Sequence, residues 1–214
     1  FTIPKNTPFF LDELISHSID EQESLTFCWE QIDEDGPGKP SVGKIGPSAG
    51  SDSSAPLFRS YPPSKQVGRY FPALSILTSG VPSPFEPLPT VARTMNFNLS
   101  ARDNNSGGGI IANNDIEVTV SSTGPLEVTS QMANEVLIAG QPFLVTWNTN
   151  GSNALCNNVR IKISADGGLS YPFTVAENVP YASGSFNVQL SPNFISSTTV
   201  RIMVECMDNE WGKF

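Results

Sequence analysis

Short runs that alternate apolar and polar residues, each closed by a turn signal within about 8–14 residues, set the limits on this fold. In "MNFNLSA", Met95, Phe97, Leu99 and Ala101 point one way, and Asn96, Asn98 and Ser100 the other. "DIEVTV" repeats the pattern with Ile116, Val118 and Val120, and "LTFCWEQI" places Leu25, Phe27 and Trp29 on one face. A period of two is the signature of half-buried strands. The chain carries 17 Gly and 18 Pro against only 15% charged residues, which suits strands and turns better than helices. The one helix-like run, "FFLDELISHSIDEQES", is short and uneven.

The spacing divides the 214 residues into two units. Residues 1–122 read as an immunoglobulin-like (cadherin- or PKD-like) sandwich. Its insertion at about 33–68 is so poor in apolar residues that it reads as a surface excursion outside the core. Residues 123–214 carry "LEVTS", "PFLVTWN", "NVRIKIS", "YPFTV", "SFNVQL" and "TTVRIMVEC". About seven short strands in roughly 90 residues is fibronectin III-like sandwich spacing, with Trp147 in the place of a core tryptophan. The expected fold is all-β, two tandem sandwiches joined near Ser121–Pro125. Phe97, Leu99, Ile116 and Val118 should be buried in the first; Val145, Trp147, Ile161, Ile163, Val200, Ile202 and Val204 in the second.

A net charge of −9 without a basic cluster argues against nucleic-acid binding, which needs grouped Lys and Arg. No apolar run reaches the roughly 18 residues of a membrane-spanning helix. The chain starts at Phe1 without Met or signal peptide, so it is expected to be a piece of something longer. Abundant Ser, Thr and Asn with few Lys suit a secreted or cell-surface bacterial protein.

The chemistry-bearing motifs are sparse. His17 is the only histidine, too few for the paired histidines of a zinc hydrolase, and no G-x-S-x-G elbow presents a serine to it. The carboxylates Asp20, Glu21, Glu23, Glu30, Asp33, Glu34 and Asp35 cluster in a loop-rich region and read as a solvated face rather than a glycosidase pair. Calcium prefers oxygens converging from loops, which makes Asp20, Asp103, Asn105 and Asp115 candidate ligands; alternatively Asp103 and Asn105 only stabilise their turn. No cofactor is required by any motif. Tyr61, Tyr70, Tyr171, Tyr181 and Trp211 are candidate stacking platforms for a sugar, with Tyr171 and Trp211 foremost, although nothing in their spacing makes a planar row.

"SADGGLSY", residues 164–171, has the Ser-x-Asp-x-Gly-x-x-aromatic spacing of an Asp-box hairpin: Asp166 can take loop N–H groups, and Gly167 and Gly168 tolerate positive φ. A single copy between two strands reads as a turn. Cys156 precedes the third strand of the second sandwich and Cys206 ends the sixth. Those strands pair antiparallel in an immunoglobulin-like fold, so a disulfide between the two is expected. Cys28, beside Trp29, reads as a buried thiol.

"FTIPKNTPF", "LTFCWEQID", "LPTVARTMNFNLSARDNNSGGG", "FLVTWNTNG", "CNNVRIKISADGGLSYPFTVAENVPYASGSFNVQL" and "VRIMVECMDNEWGKF" together resemble one known arrangement. They are similar to the region following the catalytic domain in secreted bacterial reprolysin-type (metzincin) zinc metallopeptidases. The resemblance implies a non-catalytic accessory region, serving as spacer, stabiliser or substrate-presenting module. Its partner would be an upstream peptidase domain, and the extended zinc motif would lie outside this chain. Where such relatives carry a "DxDGD"-type turn this chain has "DEQES", which weakens the calcium reading at Asp20. The alternative is a carbohydrate- or surface-binding adhesin module, engaging a protein or glycan surface.

Overall fold

The computed structural model describes residues 1–12, 25–34, 49–104, 106, 109–130, 135–208 and 212–213. Its elements follow the alternating runs. The first unit holds β1 (Thr2–Ile3), β2 (Phe9–Leu11), β3 (Thr26–Gln31), β4 (Arg69–Phe71), the short α1 (Leu74–Ser79), β5 (Arg93–Arg102) and β6 (Ile111–Val120). The second holds β7 (Glu127–Val128), β8 (Pro142–Asn148), β9 (Asn158–Ser164), β10 (Phe173–Pro180), β11 (Ser185–Gln189) and β12 (Arg201–Cys206), followed by β13 (Gly212–Lys213). Phe9–Leu11, the start of the helix-like run, is strand; the rest of that run from residue 13 lies outside the described residues.

The first unit has two layers, a sheet of order β1-β6-β5-β3 and a sheet of order β13-β2-β4. β5 and β6 pair antiparallel over their full length with no shift of register, from Arg93↔Val120 to Arg102↔Ile111. The pleat then sends Met95, Phe97, Leu99 and Ala101 inward. Between the layers Phe9 stacks on Phe71 at 5.1 Å between centroids. Phe97 meets Phe71 edge-on at 4.9 Å, and Phe58 meets Phe9 at 5.6 Å. Such pairs each add about 0.5–1.5 kcal/mol beyond the area they bury.

Phe58 comes from the stretch that the sequence assigns to the surface. Ala55, Leu57 and Phe58 are in fact core residues, so the described stretch 49–68 of the insertion is not a plain excursion. Irregular chain can be buried only if its backbone polar groups find partners. Two side chains of the neighbouring strands supply them. Gln31 Oε1 accepts the N–H groups of Leu57 and Phe58, at 2.7 and 2.9 Å. Arg93 Nη1 donates to the carbonyls of Asp52 and Ala55, at 2.9 and 2.8 Å.

The second unit also has two layers, β10-β9-β12 and β11-β8-β7. Val145, Trp147, Ile161, Ile163 and Val204 are buried, with Val200 and Ile202 half-buried against the core. In the first unit Phe97, Leu99 and Val118 are buried and Ile116 is half-buried. Trp147 donates its indole N–H to the carbonyl of Tyr181 at 2.9 Å. β9 and β12 pair antiparallel with Cys206 opposite Val159, which brings Cys206 to Cys156. The disulfide forms, with 6.0 Å between Cα atoms and a sequence separation of 50. In the chain-entropy account a loop of that size stabilises by about 3–4 kcal/mol.

β13 lies beyond β12 in the chain but pairs with β2 of the first unit, Gly212 opposite Leu11. The sequence places residues 123–214 together in the second unit; this last strand adds to the first unit's sheet.

Candidate functional site

The sites of interest lie where the two units meet. β2 and β4 each turn one face inward, with Phe9, Leu11 and Phe71, and one outward, with Phe10 and Tyr70. The Phe10 and Tyr70 rings pack at 4.5 Å between centroids. Gly68 allows this, since a Cβ there would stand 2.2 Å from Phe10 Cζ. Opposite them is the outer face of β9 and β12, and Tyr70 Oη approaches Met203 Sδ at 3.9 Å. A cleft of about 220 Å³ remains between the units, with Phe10, Tyr70, Leu77, Tyr171, Met203 and Glu205 among its walls. A second cavity, of about 280 Å³, lies on the other side of Tyr70 within the first unit, against Phe27, Cys28, Tyr61 and Arg69.

The charges around these cavities are engaged in ion pairs and hydrogen bonds. Glu86, buried although it sits in a loop, accepts from Arg69 Nη2 and from the Ala73 N–H, both at 2.8 Å. Arg69 also donates to the carbonyls of Trp29 and Arg59, and its guanidinium lies over the rings of Tyr61 and Phe71. In the cleft, Glu205 is 3% exposed and meets Arg160 Nε and Lys162 Nζ, each at 3.0 Å. Both contacts are to Glu205 Oε2 and are ion pairs without the alignment of a hydrogen bond. Burial, with Glu205 nearby, pushes the Tyr70 hydroxyl far above the ordinary tyrosine range. Burial also raises Tyr171 and Tyr181, and burial reinforced by Glu30 raises the Cys28 thiol. A thiol held protonated is a poor nucleophile. The Cys28 Sγ donates to the Tyr61 carbonyl at 3.4 Å.

Of the candidate aromatic platforms, Tyr70 and Tyr171 share the inter-unit cleft and Tyr61 and Tyr70 the second cavity, whereas Tyr181 is buried in the second unit. Tyr61 carries two guanidiniums over its ring, Arg59 at 4.6 Å and Arg69 at 4.5 Å. Tyr70 has Phe10 against it, and Tyr181 is buried with its hydroxyl 2.7 Å from Ser152 Oγ. Tyr171 is half-buried in the wall of the inter-unit cleft. Trp211 lies outside the described residues, as do His17, Asp20, Glu21, Glu23, Asp35 and Asn105.

Of the calcium candidates, Asp103 and Asp115 are described. Asp103 is buried and accepts the Ile110 N–H at 3.0 Å, closing the β5–β6 turn. Asp115 is exposed in mid-strand and accepts from Asn98 Nδ2 at 2.7 Å. Asp115 stands four steps along β6 from the strand's end at Ile111, about 13 Å of extended chain, so Asp103 and Asp115 do not converge on one ion. Among the carboxylates of the 30–35 stretch, Asp33 accepts from the Asn96 backbone and side chain and lies 3.5 Å from Arg93 Nη2. Glu30 accepts from Ser60 Oγ. The described residues bring Cys156, Cys206 and Asp208 close together, but both sulfurs are in the disulfide. The Asp208 carboxylate accepts the N–H groups of Asn157 and Asn158.

The octet 164–171 is a self-bonded turn. Asp166 Oδ1 accepts from Ser164 Oγ and from the N–H groups of Leu169 and Ser170, and Oδ2 accepts from Ser170 Oγ. Those bonds hold Asp166 well below the usual carboxylate range, although it is exposed. Gly168 has φ +91°, and a Cβ there would stand 2.6 Å from Thr78 Cγ2 of α1. The hairpin therefore docks on the first unit, where Arg201 Nη2 also donates to the Thr78 carbonyl at 3.2 Å. No alternation or motif marks Glu86 or Arg69 as a buried pair; both look like ordinary loop and strand-end charges. The chain matches no protein-family model and no curated protein. No helix among the described residues is long and apolar enough to cross a membrane.

Proposed function

We propose that this chain is a non-catalytic β-sandwich region of a secreted metallopeptidase, a stiff spacer that holds or presents what the peptidase domain works on. The observation that carries this reading is the coupling of the two units. β13 pairs into the first unit's sheet, the Asp166 hairpin rests on α1, and Tyr70 covers Met203. A spacer that sets a distance must resist bending, and adjoining domains move relative to one another unless their interface is large and apolar. The buried Glu86 and Glu205 support the reading too, because each already has its counter-charges and serves the packing.

Two measurements test it. The gene's full reading frame is expected to encode an extended His-Glu-x-x-His motif upstream of Phe1; a complete frame without one overturns the assignment. The purified fragment, supplied with zinc and calcium, is expected to turn over neither protein nor glycan substrates. Turnover that survives chelation and tracks with the pure fragment would show a catalytic site within it. Binding on a glycan array that vanishes when Tyr171 or Trp211 is replaced would instead favour the adhesin alternative.

A further inference from the structure

We propose that Cys156, Cys206 and Asp208 form a zinc site in the reduced protein, an alternative to the disulfide that the same two sulfurs make. The inference does not depend on the peptidase reading.

One strand pairing brings the three ligands together. β9 and β12 run antiparallel with Cys206 opposite Val159, and the ladder continues one step further, where the Met207 N–H donates to the Asn158 carbonyl at 2.9 Å. Asp208 then falls beside Asn157, and its carboxylate accepts the N–H groups of Asn157 and Asn158. Cys156 comes just before those two residues in the chain. Its sulfur, that of Cys206 and a carboxylate oxygen of Asp208 all lie within 4.8 Å of one another. Tetrahedral zinc takes thiolate sulfur at about 2.3 Å and carboxylate oxygen at about 2.1 Å, which sets its ligand atoms about 3.6–3.8 Å apart. The cluster has that breadth. With 6.0 Å between their Cα atoms, the two sulfurs reach such a spacing by rotating about their Cα–Cβ bonds once they are no longer joined.

Donor chemistry selects the metal. Two thiolates favour a soft or borderline ion over calcium and magnesium, and the carboxylate favours zinc over copper(I). Asn157 donates to one carboxylate oxygen of Asp208 and Asn158 to the other, which orients the group and leaves each oxygen a further lone pair for the ion. Both sulfurs are buried and Asp208 is exposed, so the carboxylate stands on the solvent side. Three protein ligands leave a fourth position for water. The step that makes the site is a two-electron reduction. A dithiol passes two electrons and two protons to the disulfide and becomes a disulfide itself, while the Cys156–Cys206 bond breaks to give two thiols. Zinc then takes both as thiolates, and their two protons go to solvent. Metal and disulfide exclude each other, because bonded sulfurs have no thiolate to offer. Zinc thereby guards the pair against oxidation.

The test uses the 214-residue protein carrying Cys28→Ser, so that this pair supplies the only thiols. It is reduced with a dithiol, freed of it by gel filtration under argon, and titrated with Zn2+ or Co2+. The reduced protein is expected to bind one zinc per chain and the oxidised protein none. Cobalt should give a thiolate charge-transfer band together with the intense visible bands of a tetrahedral site. Zinc-loaded protein should reform the disulfide in air about tenfold or more slowly than the metal-free reduced protein. Asp208→Ala still closes the disulfide but is expected to weaken zinc about tenfold or more and to change the visible cobalt bands. Equal binding by oxidised and reduced protein, no saturable binding, or an Asp208→Ala variant with unchanged affinity and spectrum overturns the proposal. If the reduced protein is unfolded without metal, zinc is expected to restore its near-ultraviolet circular dichroism, since binding to a built site is coupled to folding. Zinc uptake without that return would mean capture by loose thiols, and overturns it as well.

Discussion

Glu86 shows how much one loop residue can decide. Its carboxylate is wholly enclosed, yet it sits in an irregular stretch between α1 and β5 and belongs to no alternating pattern. It holds the Ala73 N–H at the start of α1 and neutralises Arg69, whose guanidinium ties β3, the 59–61 loop and the Phe71 ring together. Replacing Glu86 by Ala leaves a buried cation and a buried donor unmatched. Breaking such a pair from one side typically destabilises by about 3–5 kcal/mol. Glu86→Ala is accordingly expected to lower the urea midpoint strongly, and an Arg69→Met, Glu86→Leu double change to recover much of the loss. A midpoint within error of the parent protein for Glu86→Ala would show that the pair contributes little.

At the scale of elements, the Asp166 hairpin links a turn to pH. Its folded-state pKa lies below the unfolded carboxylate value because hydroxyl and N–H groups favour the charged form. A depressed carboxylate contributes stability that is fully present above the unfolded value of about 3.9, and loses it as pH falls from there toward the lower folded value. The parent protein is therefore expected to lose stability between about pH 4 and the acid extreme, in part through this turn. Asp166→Asn should be less stable than the parent at neutral pH, with a difference that shrinks on acidification. Unfolding curves at several pH values check this, and a constant difference would assign the acid sensitivity to other groups. The turn's second contribution, docking on α1, rests on Gly168 and has no pH dependence.

At the scale of the whole molecule, the joint between the units decides whether the chain behaves as one body. Phe10 and Tyr70 from one side meet Met203 and the Glu205–Arg160–Lys162 cluster from the other. Met203→Glu places a second carboxylate beside Glu205 and against the Tyr70 ring. It is expected to leave each sandwich folded while opening the joint, seen as faster proteolysis at residues 121–125 and a larger radius of gyration. Unchanged proteolysis and size would mean that β13 and the α1 contact hold the units without this face.

The alternation of "MNFNLSA", "PFLVTWN" and "NVRIKIS" determined the strands and which face of each is buried, because a period of two leaves the backbone no other way to hide its apolar side. Antiparallel pairing of the third and sixth strands of the second sandwich likewise determined the Cys156–Cys206 bond, and the spacing of Ser164, Asp166 and Gly168 determined the turn. All of these are local or follow from one pairing rule. Tertiary structure alone decided the rest. The 49–68 stretch became core because Gln31 and Arg93, far away in sequence, satisfied its backbone; Glu86 became buried because Arg69 lay beside it. β13 crossed back to β2, and Asp103 and Asp115 were kept apart by the length of β6. Such outcomes depend on contacts between distant segments, and neither composition nor spacing records which segments meet.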